Sequence, residues 1–281
     1  IFEGVSPKTM LAKLFVSLLN FSPTLKRATW KWWYQRLAHR GRETDWSFMN
    51  YGFTPRNGEL PLELLPQDEA NRLFIQLYDY AASQIPIEGL KVLEVGSGRG
   101  GGASFVTRYH HPSEMTGLDY SQSAIELSRR LHKDVPNLQF IQGDAESLPF
   151  EDHTFDVVIN VESSHCYGNV DAFIKEVSRV LKPGGFFSWV DLRGKEMLAK
   201  TELAFNIHDF SPIHSETITK EVVQALDEIH EPKMSMIADN VPKVFQTAFR
   251  DFAGVKDSQI YNAFQEGKAV YLAKAFQKVT L

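Results

Sequence analysis

The stretch Val92–Gly102, VLEVGSGRGGG, constrains the fold more than any other part of the chain. Val92, Leu93 and Val95 make a short apolar strand. Gly96, Gly98 and Gly100 then let the backbone turn sharply and approach a ligand closely. The helix opening behind them offers unpaired N–H groups and a partial positive charge. Glu94, one residue before the turn, places a carboxylate where it can hydrogen-bond a polar ligand. The pattern therefore predicts a nucleotide-like cofactor at a strand–turn–helix junction. It does not choose the cofactor, because Gly96-Ser97-Gly98-Arg99-Gly100-Gly101 also satisfies a dinucleotide fingerprint.

The surroundings extend the reading to an α/β fold. Short apolar runs at 91–95, 115–119, 138–142, 155–161 and 185–191 predict strands, and helical periodicity predicts helices at 68–84, 101–110, 121–133 and 170–181. Strands alternating with helices indicate a parallel sheet covered on both faces. Residues 195–245 read as a mostly helical insertion over the sheet's C-terminal edge, and 247–253 and 269–276 as two closing strands. The expected division is a helical lid and substrate segment over 1–67 followed by a cofactor domain over 68–281.

Two helices are expected over 7–40, broken at Ser22-Pro23, with 41–66 irregular. Met10–Phe21 is apolar but too short to span a bilayer, and Trp30, Trp32, Trp33 and Tyr34 alternate with basic residues. Such a segment suits a membrane interface, a cover over the protein's own pocket or a contact with a second subunit, which leaves peripheral membrane contact and a homo-oligomer open. Ile1 in place of a start methionine reads as a processed or partial chain. A net charge of -5 argues against a nucleic-acid surface. The single cysteine, Cys166, excludes an internal disulfide and fits a reducing compartment, so a cytoplasmic protein with access to a membrane is expected. No cysteine/histidine cluster has zinc spacing, so no metal is expected.

Three further features select among cofactors. Glu94 precedes the glycines. GLDYS at 117–121 closes the second strand with Asp119, whose carboxylate can accept from both hydroxyls of a ribose, with Tyr120 and Ser121 beside it. QGDAESLPF at 142–150 follows the third strand and places Asp144 and Ala145 beside an adenine ring. A dehydrogenase has no need of the last element.

On these residues the chain resembles the class I S-adenosylmethionine-dependent methyltransferases over about 88–192. Glu94-Val95-Gly96-Ser97-Gly98-Arg99-Gly100 matches the family's E/DxGxGxG motif, Asp119 its acidic ribose ligand, Gly143-Asp144-Ala145 its adenine-side motif and Leu181-Lys182-Pro183-Gly184-Gly185 its turn into the fifth strand. The resemblance implies S-adenosyl-L-methionine as cofactor and a Rossmann-like seven-stranded sheet with a reversed final hairpin. It makes Glu94, Gly96, Ser97, Gly98, Gly100, Asp119, Tyr120, Ser121, Asp144, Ala145 and Asn160 the expected cofactor residues. GGGAS at 100–104, GLDYSQSAI, GDAESLPF and NVESSHCY at 160–167 are similar to the phthiotriol/phenolphthiotriol dimycocerosate methyltransferases and to natural-product and sterol methyltransferases.

The loop NVESSHCYGN, 160–169, follows the fourth strand, at the sheet edge where ligands bind. His165 there is a candidate general base, or a residue that only shapes the pocket. Glu162 is a candidate partner for His165 or a stabiliser of positive charge. Cys166 is expected as a small packed side chain. His110 and His111 are expected on their helix's terminal carbonyls, His208 and His214 near the pocket, and Asp191 and Arg193 at its rim. Trp30, Trp33, Tyr34, Trp46, Phe48 and Tyr51 could form a lid or belong to the core. The expected activity is methyl transfer to a hydroxyl of a hydrophobic small molecule. Carbon methylation of an alkene and nitrogen methylation of an amine are the alternatives within that chemistry. An NAD(P)-dependent oxidoreductase and a non-catalytic binding protein lie outside it.

Overall fold

Apolar residues on both sides of β1 (Lys91–Val95) make it a central strand: Val92 faces one core layer, Leu93 and Val95 the other. The computed structural model describes residues 47–56, 58, 60–241, 243 and 246–279. The expected helices over 7–40 and the aromatic set around Trp30 and Trp46 lie outside these residues. In chain order the elements are α1 (Arg72–Ala82), entered by a 3-10 turn at Pro66–Asn71, then β1, α2 (Gly101–His110), β2 (Glu114–Asp119), α3 (Gln122–Leu131) and β3 (Leu138–Gln142). β4 (Phe155–Val161), α4 (Val170–Val180), β5 (Leu181–Gly194), α5 (Lys195–Ile207) and β6 (Phe210–Thr217) follow. The chain closes with α6 (Thr219–Glu228), α7 (His230–Asn240), α8 (Gln246–Phe252), α9 (Gln259–Gln265) and β7 (Ala269–Lys278).

The sheet has seven strands in the order β3-β2-β1-β4-β5-β7-β6. β1 pairs in parallel with β2 and β4, and β7 lies antiparallel between β5 and β6. The strand order reverses at β1 and β4, so the C-terminal ends of these two strands open the crevice where an open sheet binds its ligand. Side chains alternate across the sheet with period two. Val157, Ile159 and Val190 pack with α1 and α2 residues such as Ile75 and Phe105; Val158, Phe187 and Trp189 pack with Phe173, Ile174 and Val177 of α4. Ser121 and Asn169 cap α3 and α4 by accepting from the amides of Ala124 and Ala172.

Two expectations change at the C-terminal third. Residues 247–252 of the segment read as a strand belong to α8, whose Phe249 is buried with Ile237, Val241 and Val255 in a small cluster. The reversed hairpin is formed by β6 and β7, so a strand stands inside the segment read as a helical insertion. β6 is an edge strand with mostly exposed or half-buried residues, so FSPIHSET carries almost no apolar alternation to mark it. Pro212, a helix breaker in that segment, sits at a register irregularity on this edge, where a missing N–H is tolerated. β5 also starts earlier than expected: Leu181 pairs with Phe155, and pairing resumes at Phe186 with Val157 across the turn containing Gly184, φ +77°.

Residues 47–56 form no helix or strand and run over the sheet's C-terminal edge. The Tyr51 amide donates to Glu162 Oε2 at 2.7 Å, the Phe53 amide to the Leu73 carbonyl at 2.9 Å and the Thr54 amide to the Glu221 carbonyl at 3.1 Å. Arg56 pairs with Glu216 and, at 2.7 Å, with Glu221. Phe48 is buried edge-on to Tyr78, so it belongs to the core. No helix among the described residues is long and apolar enough to cross a membrane.

Candidate functional site: the crevice at the ends of strands 1 and 4

The glycine turn is held by what surrounds it. Gly96, Gly98 and Gly100 all have positive φ, the region in which glycine is free of the Cβ penalty. A Cβ on Gly96 would lie 2.5 Å from Ser163 Cβ and 2.8 Å from the Tyr167 hydroxyl. A Cβ on Gly102 would overlap the Tyr78 ring. The turn is therefore pressed between the loop after β4 and the first core layer. The backbone N–H of Gly98 donates to Asp119 Oδ2 and that of Ser121 to Asp119 Oδ1, at 2.9 and 2.8 Å. Asp119 thus ties the first glycine loop to the end of β2. Burial raises its pKa against these two donors.

Several buried polar atoms here lack a partner among the described residues. Glu94 is 1% exposed and accepts from the Tyr78 hydroxyl at 2.7 Å through Oε1, while its Oε2 has no hydrogen-bond partner among the described residues. Burial pushes its pKa up to about 7. Ser97 Oγ and Asn160 Oδ1 are likewise buried without partners. Asn160 Nδ2 donates to the Val95 carbonyl at 2.9 Å and to Ser163 Oγ at 2.8 Å, which fixes its free oxygen beside the turn. Buried polar groups are normally satisfied. Three such atoms around one glycine turn form a polar cradle that a ligand with ammonium and hydroxyl groups would complete. Asp144 is exposed and accepts from the Glu146 amide, Ala145 is buried next to it, and Tyr120 is 66% exposed beside Asp119.

The loop after β4 carries the second half of the site. His165 Nδ1 lies 2.8 Å from Asp191 Oδ1, and the His165 amide donates to Asp191 Oδ2 at 2.9 Å. A carboxylate only accepts, so Nδ1 carries the proton and Nε2 is left for another partner. Asp191 is fully buried and also accepts from the Ser164 hydroxyl at 2.6 Å. Burial favours its neutral form, but His165 and Arg193 outweigh this and hold its pKa far below the usual range. Burial lowers the His165 pKa, and the Asp191 charge overrides it, so the imidazole holds its proton well above the ordinary value. The ring is 28% exposed.

Glu162 occupies the left-handed region at φ +48°, unusual for a residue with a side chain. Its Oε2 accepts from the Tyr51 amide and, at 2.6 Å, from the Tyr271 hydroxyl. Burial raises it to about 7, with the neighbouring His165 charge acting in the opposite direction. Lys233 of α7 stands over the Tyr51 and Phe74 rings at 5.6 and 5.7 Å, its pKa lowered by burial to about 8.

The site thus gathers Glu94, Ser97, Gly98, Asp119, Asn160, Glu162 and His165 at one edge of the sheet. Other expectations change. Cys166 is exposed, not packed. His110 pairs with Asp79 at 3.0 Å instead of its helix's carbonyls, because α1 packs beside α2. His208 pairs with Asp171 at 3.0 Å. His214 stands on the edge strand β6, 3.3 Å from the Tyr80 hydroxyl. Asp191, expected only at the rim, is the partner of His165. Sequence reading missed that pairing and also Tyr78, Tyr271 and Lys233, which come from elements remote in sequence. The one available signal was that Asp191 ends a strand at the same sheet edge as His165.

A family model described as a methyltransferase domain matches residues 93–189. The chain is 36% identical over 255 residues to the phthiotriol/phenolphthiotriol dimycocerosates methyltransferase of Mycobacterium tuberculosis, covering 91% of this chain and 93% of that protein. It is also 36% identical over 245 residues to the fatty-acid O-methyltransferase of Mycolicibacterium smegmatis, covering 87% and 88%. Among solved structures, the geranyl diphosphate C-methyltransferase of Streptomyces coelicolor A3(2) superposes with a TM-score of 0.62 at 15% identity, covering 88% of this chain and 98% of that one. These relationships set aside the oxidoreductase and non-catalytic readings, and the polar cradle around Gly96 fits the cofactor they imply. The chain belongs to the class I S-adenosylmethionine-dependent methyltransferases, in the family that includes the phthiotriol/phenolphthiotriol dimycocerosates and fatty-acid O-methyltransferases.

Proposed function

We propose that this methyltransferase methylates a hydroxyl oxygen of a lipid-like small molecule, with His165 as the general base. The observation that carries the reading is the His165–Asp191 pair: a fully buried carboxylate fixes the imidazole so that Nε2 is the atom left to take a proton. The cofactor, when bound, supplies a methyl group on a positively charged sulfur, which needs no enzyme nucleophile. Glu94, Ser97 and Asn160 would hold it through the buried atoms that lack partners among the described residues, and Asp119, Tyr120, Ser121, Asp144 and Ala145 would border it along the ends of β2 and β3. The chain's own contribution is alignment of the acceptor and exclusion of water by residues 47–56 above the crevice. Glu162, tied to Tyr51 and Tyr271, would orient a second polar group or stabilise positive charge.

The relatives' names support a lipid-like acceptor. An open groove beside the His165 loop, lined by Tyr167, Val170 and Met197 with Lys195, Glu196, Lys200 and Lys268 around it, adjoins the site.

A second reading is a carboxylate acceptor, favoured by the strong hold of Asp191 on the His165 proton. An imidazolium would bind an anionic oxygen directly, and no base would then be required.

Both readings are tested with long-chain alcohols and fatty acids as acceptors for the wild type and His165→Ala. The hydroxyl reading expects turnover of alcohols that falls at least about 10²-fold in the variant with cofactor affinity nearly unchanged. Turnover of fatty acids alone would replace it with the second reading. Unaltered alcohol turnover by His165→Ala would remove the base.

A further inference from the structure

Arg193 is a fully buried cation on β5 that the reaction as drawn does not use. Its Nη2 donates to Ser164 Oγ at 2.7 Å, its Nε to Thr201 Oγ1 of α5 at 2.9 Å and its Nη1 to the Leu192 carbonyl at 2.7 Å. Nη1 also lies 3.0 Å from Asp191 Oδ2, and the guanidinium stands 4.8 Å over the Trp189 ring. Ser164 Oγ in turn donates to Asp191 and accepts from Trp189 Nε1 at 2.8 Å. The planar fork of arginine fills these directions at once, which a lysine cannot do.

A buried cation is costly unless its partners repay the desolvation. This one neutralises Asp191, the same carboxylate that holds His165. We propose that Arg193 is a positioning residue for methyl transfer: shared between Asp191 and Ser164, its guanidinium fixes the carboxylate that orients His165 and weakens that carboxylate's grip on the imidazole proton. The proposal rests on His165 as the proton acceptor. A lone carboxylate would hold an imidazolium so firmly that little neutral base remained. A second cation on the same carboxylate competes for its charge and brings the neutral form within reach.

The other groups around the His165–Asp191 pair are Glu162 in the loop after β4 and Cys166, both acting on His165, and Tyr51 and Tyr271, acting on Glu162 and Asp191, with Lys233 acting on Glu162. Glu162 pulls in the same direction as Asp191. Substitution at Arg193 leaves all five in place.

The test is Arg193→Gln in the full chain, read by NMR titration of the His165 ring and by the pH profile of kcat/KM with an alcohol acceptor. The expected result is a ring midpoint raised by about 1 unit or more, the acid limb of the rate moving with it, and unchanged cofactor affinity. An unmoved midpoint overturns the proposal. A midpoint that moves while the rate profile stays put supports the control of His165 but sinks His165 as the base. If Arg193→Gln does not accumulate folded, Arg193→Lys decides. It keeps the charge and loses the fork, so a lowered kcat with the midpoint near wild type is expected. A wild-type kcat or a midpoint raised by about 1 unit or more overturns the proposal.

Discussion

Asp191 Oδ1 lies 2.8 Å from His165 Nδ1 although the two residues stand 26 positions apart. β4 and β5 run parallel and adjacent, with Val161 opposite Val190, so the residue after Val190 and the loop after Val161 meet at one sheet edge. The same carboxylate holds the His165 backbone N–H and the Ser164 hydroxyl. Asp191→Asn should therefore lower kcat/KM with an alcohol acceptor by about 10²-fold or more, since an amide can present the wrong hydrogen-bonding group to the imidazole. It should also cost about 3–5 kcal/mol of stability by leaving Arg193 without its counter-charge. Paired kinetics and denaturant titration check both; retention of full activity would remove the dyad.

The two acceptor readings separate by pH. With an alcohol, His165 must be neutral, so kcat/KM rises with pH through the His165 midpoint. With a carboxylate acceptor, the imidazolium is the binding partner, so the rate falls over the same interval. Because Asp191 raises that midpoint above the ordinary histidine value, the change is expected above about pH 6.5. Profiles for the two acceptors measured on one preparation give the sign.

Glu94 ties stability to pH in an unusual direction. Its folded pKa is raised by burial to about 7 from an ordinary carboxylate value of 4.5. The unfolded chain therefore loses this proton first as pH increases, and folding stability declines between those two values and then levels off. Glu94→Gln removes that decline. The variant without cofactor should gain up to about 3 kcal/mol over the wild type at pH 8 and nothing near pH 4. Its cofactor affinity should fall at least about tenfold, because an amide nitrogen replaces the free acceptor. Melting curves across pH and cofactor calorimetry are the measurements. A pH-independent difference in stability would contradict the burial of the charge.

Gly96→Ala places a Cβ 2.5 Å from Ser163 Cβ at a backbone φ of +80°. Strain of this kind is worth about 1–3 kcal/mol. Relief requires moving the loop that carries His165, so cofactor affinity and turnover should fall together. Wild-type values for both would show that the crevice is looser than its geometry.

Phe205 fastens α5 to the sheet. Its ring lies 4.4 Å from Phe276 and 5.3 Å from Trp189, and it is almost wholly buried. Phe205→Ala should cost about 3–5 kcal/mol in chemical denaturation. α5 also supplies Thr201 to Arg193 and Met197 to the neighbouring groove. Turnover should therefore drop more than cofactor affinity.

What the sequence by itself determined is the cofactor half. β1, the glycine turn, α2, β2 and β3 are local and strongly patterned: short apolar strands, of which β1 and β2 are buried on both faces, a turn only glycine adopts freely, and caps such as Ser121. The placement of Glu94, Asp119 and Asn160 at strand ends follows from the same pattern. Tertiary structure decided the rest. The edge strand β6 is barely buried and was invisible to an apolar pattern, whereas α8 hides Phe249 against other helices and so mimicked a strand. The His165–Asp191–Arg193 chain depends on the register of β4 against β5, and Glu162 meets Tyr51 and Tyr271 only because residues 47–56 and β7 converge on one edge. Backbone pattern is written locally. The environment of a buried charge is the sum of neighbours brought from distant parts of the chain, and it emerges only when the sheet has closed.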